Sequence, residues 1–93
     1  MKNKLQYIID TYGTASQVDI AIEECSELTK ALLKHRRKPS EEAREAIIDE
    51  IADVENMLNQ LKIIYNCSAA VADRLDYKVD RQIERIKKGW RRG

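Results

Sequence analysis

Apolar residues recur along most of this chain at the three- and four-residue spacing of helices. Leu5, Ile8, Ile9 and Tyr12 form the first stripe and Gly13 stops it, which predicts a helix from about Asn3 to Tyr12. Thr14 followed by Gln17 fits a capping box for a second helix, from about Ala15 to His35. The connection from His35 to Ser40 contains Pro39, which disfavours helix at the residue before it. Ser40 can cap a third helix from about Glu41 to Tyr65, with Glu41 and Glu42 at its positive end. Asn66 tolerates left-handed backbone and Ser68 can cap a fourth helix, from about Ala69 to Lys88, which stops at Gly89. The expected fold class is all-α: one small four-helix bundle-like domain over residues 1–93, with a basic tail over about 87–93.

The same periodicity exposes two violations. With about 100° per residue and Ile47 at zero, Ile51, Val54, Leu58, Leu61 and Met57 form one broad apolar face on the third helix. Glu50, at about 300°, falls inside that face, and Asp53, at about 240°, at its edge. On the second helix, with Ile20 at zero, Ala31, Leu28, Ala21, Leu32 and Cys25 span about 20° to 140°. Glu24, at about 40°, interrupts this arc, and Glu27 and Glu23 flank it at about 340° and 300°. A carboxylate in an apolar stripe is costly unless it is paired or bound to a metal. Packing the two helices together would gather all five acids, and a hard divalent cation with oxygen ligands would relieve their repulsion. An ordinary solvated acidic face is the plainer reading of any one glutamate. Two helices that both set acids within apolar stripes weigh against it. Cys25 reads as core packing, and His35 as a helix-end residue facing the terminal carbonyls.

Glu23-Glu24-Cys25-Ser26-Glu27 has the pattern E-E-x-x-E, and Glu50-Ile51-Ala52-Asp53 the pattern E-x-x-D. Together, on consecutive long helices, they resemble the signature of the MazG-like all-α nucleoside triphosphate pyrophosphohydrolases, over about Ser16 to Ile86. The resemblance implies hydrolysis of a nucleoside or deoxynucleoside triphosphate to the monophosphate and pyrophosphate. It implies Mg²⁺ as cofactor, with Mn²⁺ able to stand in, and assembly as a homodimer or homotetramer. It places the metal on the motif positions, of which the angular reading favours Glu24, Glu27, Glu50 and Asp53 as ligands. Glu23, the most peripheral, is expected to orient a water. Glu23, Glu24 and Glu50 are the expected catalytic residues.

A triphosphate also calls for cations. On the fourth helix, Lys78, Arg81 and Arg85 flank the apolar positions Val79, Ile83 and Ile86 and are candidates for phosphate binding. Lys34, on the same face of the second helix about two turns beyond Glu27, is a further candidate. Asn56 and Asn59 could contact a base or sugar, and Trp90 a base or a partner.

Composition narrows the classes. Charged residues make up 35% of the chain, yet the formal net charge is +1, so no global nucleic-acid or membrane signal exists. No run of about 18 apolar residues suggests a membrane span. Cys25 and Cys67 have no metal-type spacing, and no hydrophobic leader opens the sequence, so a reduced, cytoplasmic setting is expected. Glu-x-x-His elements of di-iron bundles are absent. So small a domain buries a limited core, which also favours a homo-oligomer. The rival reading is a non-enzymatic helical interaction module, in which the acids pair with Lys and Arg of a partner.

Overall fold

The computed structural model describes residues 2–89, so Trp90 and the rest of the basic tail lie outside the described residues. Four helices follow in order: α1 (Lys2–Tyr12), α2 (Thr14–Arg37), α3 (Glu41–Ile64) and α4 (Ser68–Lys87). No strand occurs among the described residues, so the all-α class holds.

A single residue joins α1 to α2. Gly13 takes φ 96°, a conformation that an L side chain resists. Its N–H donates to the Ile9 carbonyl at 2.8 Å, and its own carbonyl accepts from Gln17 N–H at 3.1 Å. The expected Thr14–Gln17 capping box does not form. Gly13 holds the cap position without a side-chain bond, Thr14 is already helical, and Gln17 is buried.

The start of α3 follows expectation. Ser40 Oγ accepts from Ala43 N–H at 3.0 Å, and Glu41 and Glu42 occupy the positive first turn. Asn66 adopts φ 49° and ends the α3 segment in the left-handed region. Ser68 is the first helical residue of α4 rather than its cap; Cys67 holds that position and makes no side-chain bond.

The core lies between α2 and α3, with α1 packed on both. Leu5, Ile9, Ala21, Ala43 and Met57 are its buried apolar residues. Much of the expected apolar face of α3 stays open: Ile51 and Leu58 are 46% and 45% exposed, and Cys25 on α2 is exposed rather than packed. Two helices bury only the arc between them, and these residues lie on the uncovered flank.

Helix α4 is set apart. It touches α3 sparsely and neither α1 nor α2, and none of its residues is buried. The radius of gyration is 16.4 Å, against about 13 Å for a compact chain of about 100 residues. No helix among the described residues is long and apolar enough to cross a membrane.

Candidate metal centre

The α2–α3 seam can be read from two fixed points. Near one end, Gln17 Nε2 donates to Gln60 Oε1 at 2.8 Å. Two turns further along α2 stands Glu24, and two turns back along α3 stands Asp53, so the helices run antiparallel in constant register. Ala21 and Met57 are buried between these two levels. The apolar contacts therefore hold the acidic level closed.

Glu24, Glu50 and Asp53 each bring a carboxylate oxygen into one group whose members lie within 4.8 Å of one another. Glu24 and Glu50 are half-buried, and Asp53 is exposed. Glu24 Oε2 and Glu50 Oε2 are shut off from solvent, and no hydrogen-bond donor reaches either. A buried acceptor without a donor carries its full desolvation cost. Burial is the main influence pushing both carboxyls above their ordinary pKa of 4.5. Asp53, Glu50 and Glu27 add to this at Glu24, and Asp53, Glu27 and Asp49 at Glu50. Among the described residues, every charged neighbour acting on the pair is itself an acid.

Of the four expected ligands, three converge. Glu27 acts on the group by its charge but lies at the exposed edge, where it pairs with Lys30 at 3.4 Å. Glu23 is exposed and lines a shallow hollow with Ile22, Glu24, Ser26 and Glu27, but it is not among the three acids whose oxygens converge. The arrangement suits a hard cation bound from one side by carboxylates and open to water or phosphate oxygens on the other.

The expected phosphate-binding cations stand elsewhere. Lys34 lines a groove with Lys38, Ser40 and Glu42, where α2 ends and α3 begins. At 1.5 Å rise per residue, Lys34 is about 15 Å along the axis from Glu24. Lys78 lines an apolar groove on α4 with Val71 and Leu75, and Arg81 stacks over the Tyr77 ring at 5.5 Å. Arg85 shares that helix, which makes no contact with α2. Asn56 and Asn59 border a cleft against α1, lined also by Leu5, Ile8 and Ala52.

The residues that sequence reasoning missed are Gln17 and Gln60, 3% and 1% exposed. Gln17 falls at about 60° on the α2 wheel, among the apolar positions, so the angular test that flags Glu24 flags it too. Gln60 Nε2 donates on to Asn56 Oδ1 at 3.0 Å, which joins the seam to the α1 cleft.

Comparison with family models, with curated proteins and with solved structures returns no match to this chain.

Proposed function

We propose that this protein is a Mg²⁺-dependent nucleoside triphosphate pyrophosphohydrolase, releasing pyrophosphate and a nucleoside or deoxynucleoside monophosphate. The observation that carries the reading is the pair of buried, donorless oxygens, Glu24 Oε2 and Glu50 Oε2, beside Asp53. The likeness of Glu23–Glu27 and Glu50–Asp53 to the MazG-like motifs supplies the reaction class.

In this reading Glu24, Glu50 and Asp53 hold Mg²⁺, with Glu27 at the open edge. Bound there, the ion would offset charge on phosphate oxygens and acidify a water. Glu23, exposed beside the group, orients water in the hollow it shares with Ser26. Glu50, whose carboxyl burial pushes above its ordinary pKa, is suited to accept a proton where it is not fully committed to the ion. Lys34, Lys78, Arg81 and Arg85 supply phosphate contacts only if other parts of the assembly bring them near. A cytoplasmic setting and a homodimeric or homotetrameric state belong to the same reading.

The test is a screen of common ribo- and deoxyribonucleoside triphosphates with Mg²⁺, reading pyrophosphate. Release that needs Mg²⁺ and disappears in Glu50→Gln is expected. Near wild-type release by Glu50→Gln, or none from any triphosphate with the wild type, overturns the proposal. The rival, an interaction module without catalysis, is favoured by the bare apolar face of α4. It expects Mg²⁺ to leave the melting temperature unchanged, whereas a bound ion raises it by linkage.

A further inference from the structure

A triphosphate has to approach a site whose own charges are negative. Glu24, Glu27, Glu50 and Asp53 carry more charge than one divalent ion offsets, so phosphate on the open side calls for a cation there. The register of the seam shows which residue stands nearest. Gln17 lies level with Gln60 and Glu24 with Asp53, so each step along α2 is matched by one step back along α3. Glu27 is then level with Glu50, Lys30 with Ile47, and Lys34 with Ala43. The groove that holds Lys34 and Ala43 together agrees with this register.

Around α2, with Ile20 at zero, Lys30 falls at about 280°, beside Glu23 at about 300° and Glu27 at about 340°. All three are exposed and share the edge that borders the acidic hollow. Long helical side chains lean towards the N-terminus of their helix, so the Lys30 stem runs back towards the Glu27 level. Its Nζ stands 3.4 Å from Glu27 Oε1. Lys34, one turn further on, leans back only towards Lys30. The Lys30–Glu27 pair is loose: its side chains are 70% and 50% exposed, and ion pairs of this kind contribute little to stability. Glu27 is also the acid closest to joining the converged group. Its charge acts on both Glu24 and Glu50, yet its oxygens stay outside the three that meet. Lys30 therefore holds, weakly, the carboxylate that a bound ion would draw inward.

We propose that Lys30 contacts a phosphate oxygen of the bound triphosphate, giving up Glu27 as the ion takes that carboxylate. The proposal rests on the triphosphate reading and adds a cation beside the acids. An ammonium on a four-carbon stem suits such an exchange, because its three donors swing between acceptors without a fixed fork. Two opposite effects follow. Towards metal alone, Lys30 competes for Glu27. Towards triphosphate, it is a contact. A lysine that only supported the helix would move both affinities in the same direction.

Lys30→Met keeps the stem and removes the charge. Binding of Mn²⁺ without nucleotide, read from the free-ion signal in electron paramagnetic resonance, is expected to tighten by up to about fivefold, the scale of an exposed ion pair. With Mg²⁺, the KM for the triphosphate that releases most pyrophosphate should rise about tenfold or more, the scale of a hydrogen bond between charged groups. Its kcat should stay within about twofold, because the contact is made before the chemical step. In a Glu27→Gln background the same change should leave Mn²⁺ binding as it was, since the competition runs through that carboxylate. Circular dichroism checks that each variant stays helical. An unchanged KM in Lys30→Met overturns the proposal and leaves the pyrophosphohydrolase reading intact. Weaker Mn²⁺ binding in Lys30→Met also overturns it, because Lys30 would then be holding the acidic group together. A wild type that releases pyrophosphate from no triphosphate overturns the underlying reading, and this proposal with it.

Discussion

The α2–α3 seam and helix α4 are built from the same material with opposite results. Both combine an apolar arc with many charges. In the seam the charges sit inside or at the edge of the arc, so packing of Ala21 and Met57 draws Glu24 and Glu50 partly out of water and gathers them beside the exposed Asp53. On α4 the charges sit beside the arc, so they remain solvated and the apolar residues stay bare. Charges within a packed arc ask for a ligand, because their own chain cannot satisfy them. Charges beside an open arc are satisfied by water and leave the apolar residues uncovered.

The largest effect should come from neutralising the seam. Removing an outer-shell support of a metal ligand typically costs about 10–100-fold in affinity or activity, so removing a ligand should cost more. Glu50→Gln is therefore expected to abolish pyrophosphate release in the coupled assay. Without metal the same change should raise the melting temperature. Glu24 and Glu50 have folded pKa values above the ordinary 4.5, so the folded state binds protons more tightly than the unfolded one. Stability from this source is complete below that value and is lost as pH rises through the raised one. In metal-free buffer the wild-type melting temperature should fall as pH rises above about 4.5, and Glu50→Gln should flatten the slope. Unchanged slopes in both proteins would remove the electrostatic account of the seam.

Next in size is a pair of truncations that measures the contrast directly. Met57 is 5% exposed and fills the space between the glutamine and carboxylate levels. Met57→Ala should cost about 2–5 kcal/mol in urea unfolding. Leu75→Ala, on a bare face, should stay within about 0.5 kcal/mol when measured at dilutions where copies separate. Equal costs at the two sites would mean that α4 packs within its own chain after all.

Much of this contrast was legible in the sequence. Four helices follow from periodicity, and the Ser40 cap and the Asn66 turn from local chemistry. Glu24, Glu50 and Asp53 stand out because they break an apolar arc that a neighbouring helix must cover. Other features depended on which arc would be covered. Ile51, Leu58 and Cys25 read as core because periodicity reports that a face is apolar, not how wide a neighbour spreads over it. Gln17 read as a capping partner for Thr14 because local motifs compete with tertiary contacts that the sequence does not display. Lys78, Arg81 and Arg85 were joined to the acids by chemical need, while α4 in fact makes no contact with α2.

The glutamine level tests whether the seam's register has its own anchor. Gln60→Leu removes both the acceptor of Gln17 Nε2 and the donor to Asn56 Oδ1. Gln17, whose Oε1 already lacks a donor, would then be buried with no partner. The expected cost is about 1–3 kcal/mol. Adding Gln17→Leu should recover most of it, since replacing both partners with apolar groups removes the unsatisfied atoms. Failure of the double variant to recover would show that shape, not hydrogen bonding, holds that level.

The smallest predicted effect concerns how the two regions begin. Among the caps of α2, α3 and α4, Ser40 alone bonds through its side chain; Gly13 and Cys67 do not. Ser40 Oγ satisfies the N–H of Ala43, and Ala43 is 4% exposed in the core. In Ser40→Ala that N–H loses its acceptor in a place poorly reached by water. A typical cap loss is about 1 kcal/mol, within a range of about 0.5–2. Burial of Ala43 argues for the upper half of that range, because an exposed N–H would turn to solvent instead. The first turn of α3 should fray, with faster amide exchange at Ala43 and Arg44, whose N–H donates to the Ser40 carbonyl at 3.0 Å. The Glu24–Glu50–Asp53 level lies further along α3 and should keep its exchange rates. Cys67→Ser at the start of α4 should gain little by comparison. Its φ of −133° and ψ of 21° leave the extended region in which a serine cap reaches back to the helix. If Ser40→Ala proved neutral while Cys67→Ser stabilised the chain by about 1 kcal/mol, the ranking of the two helix starts drawn from cap geometry would be reversed.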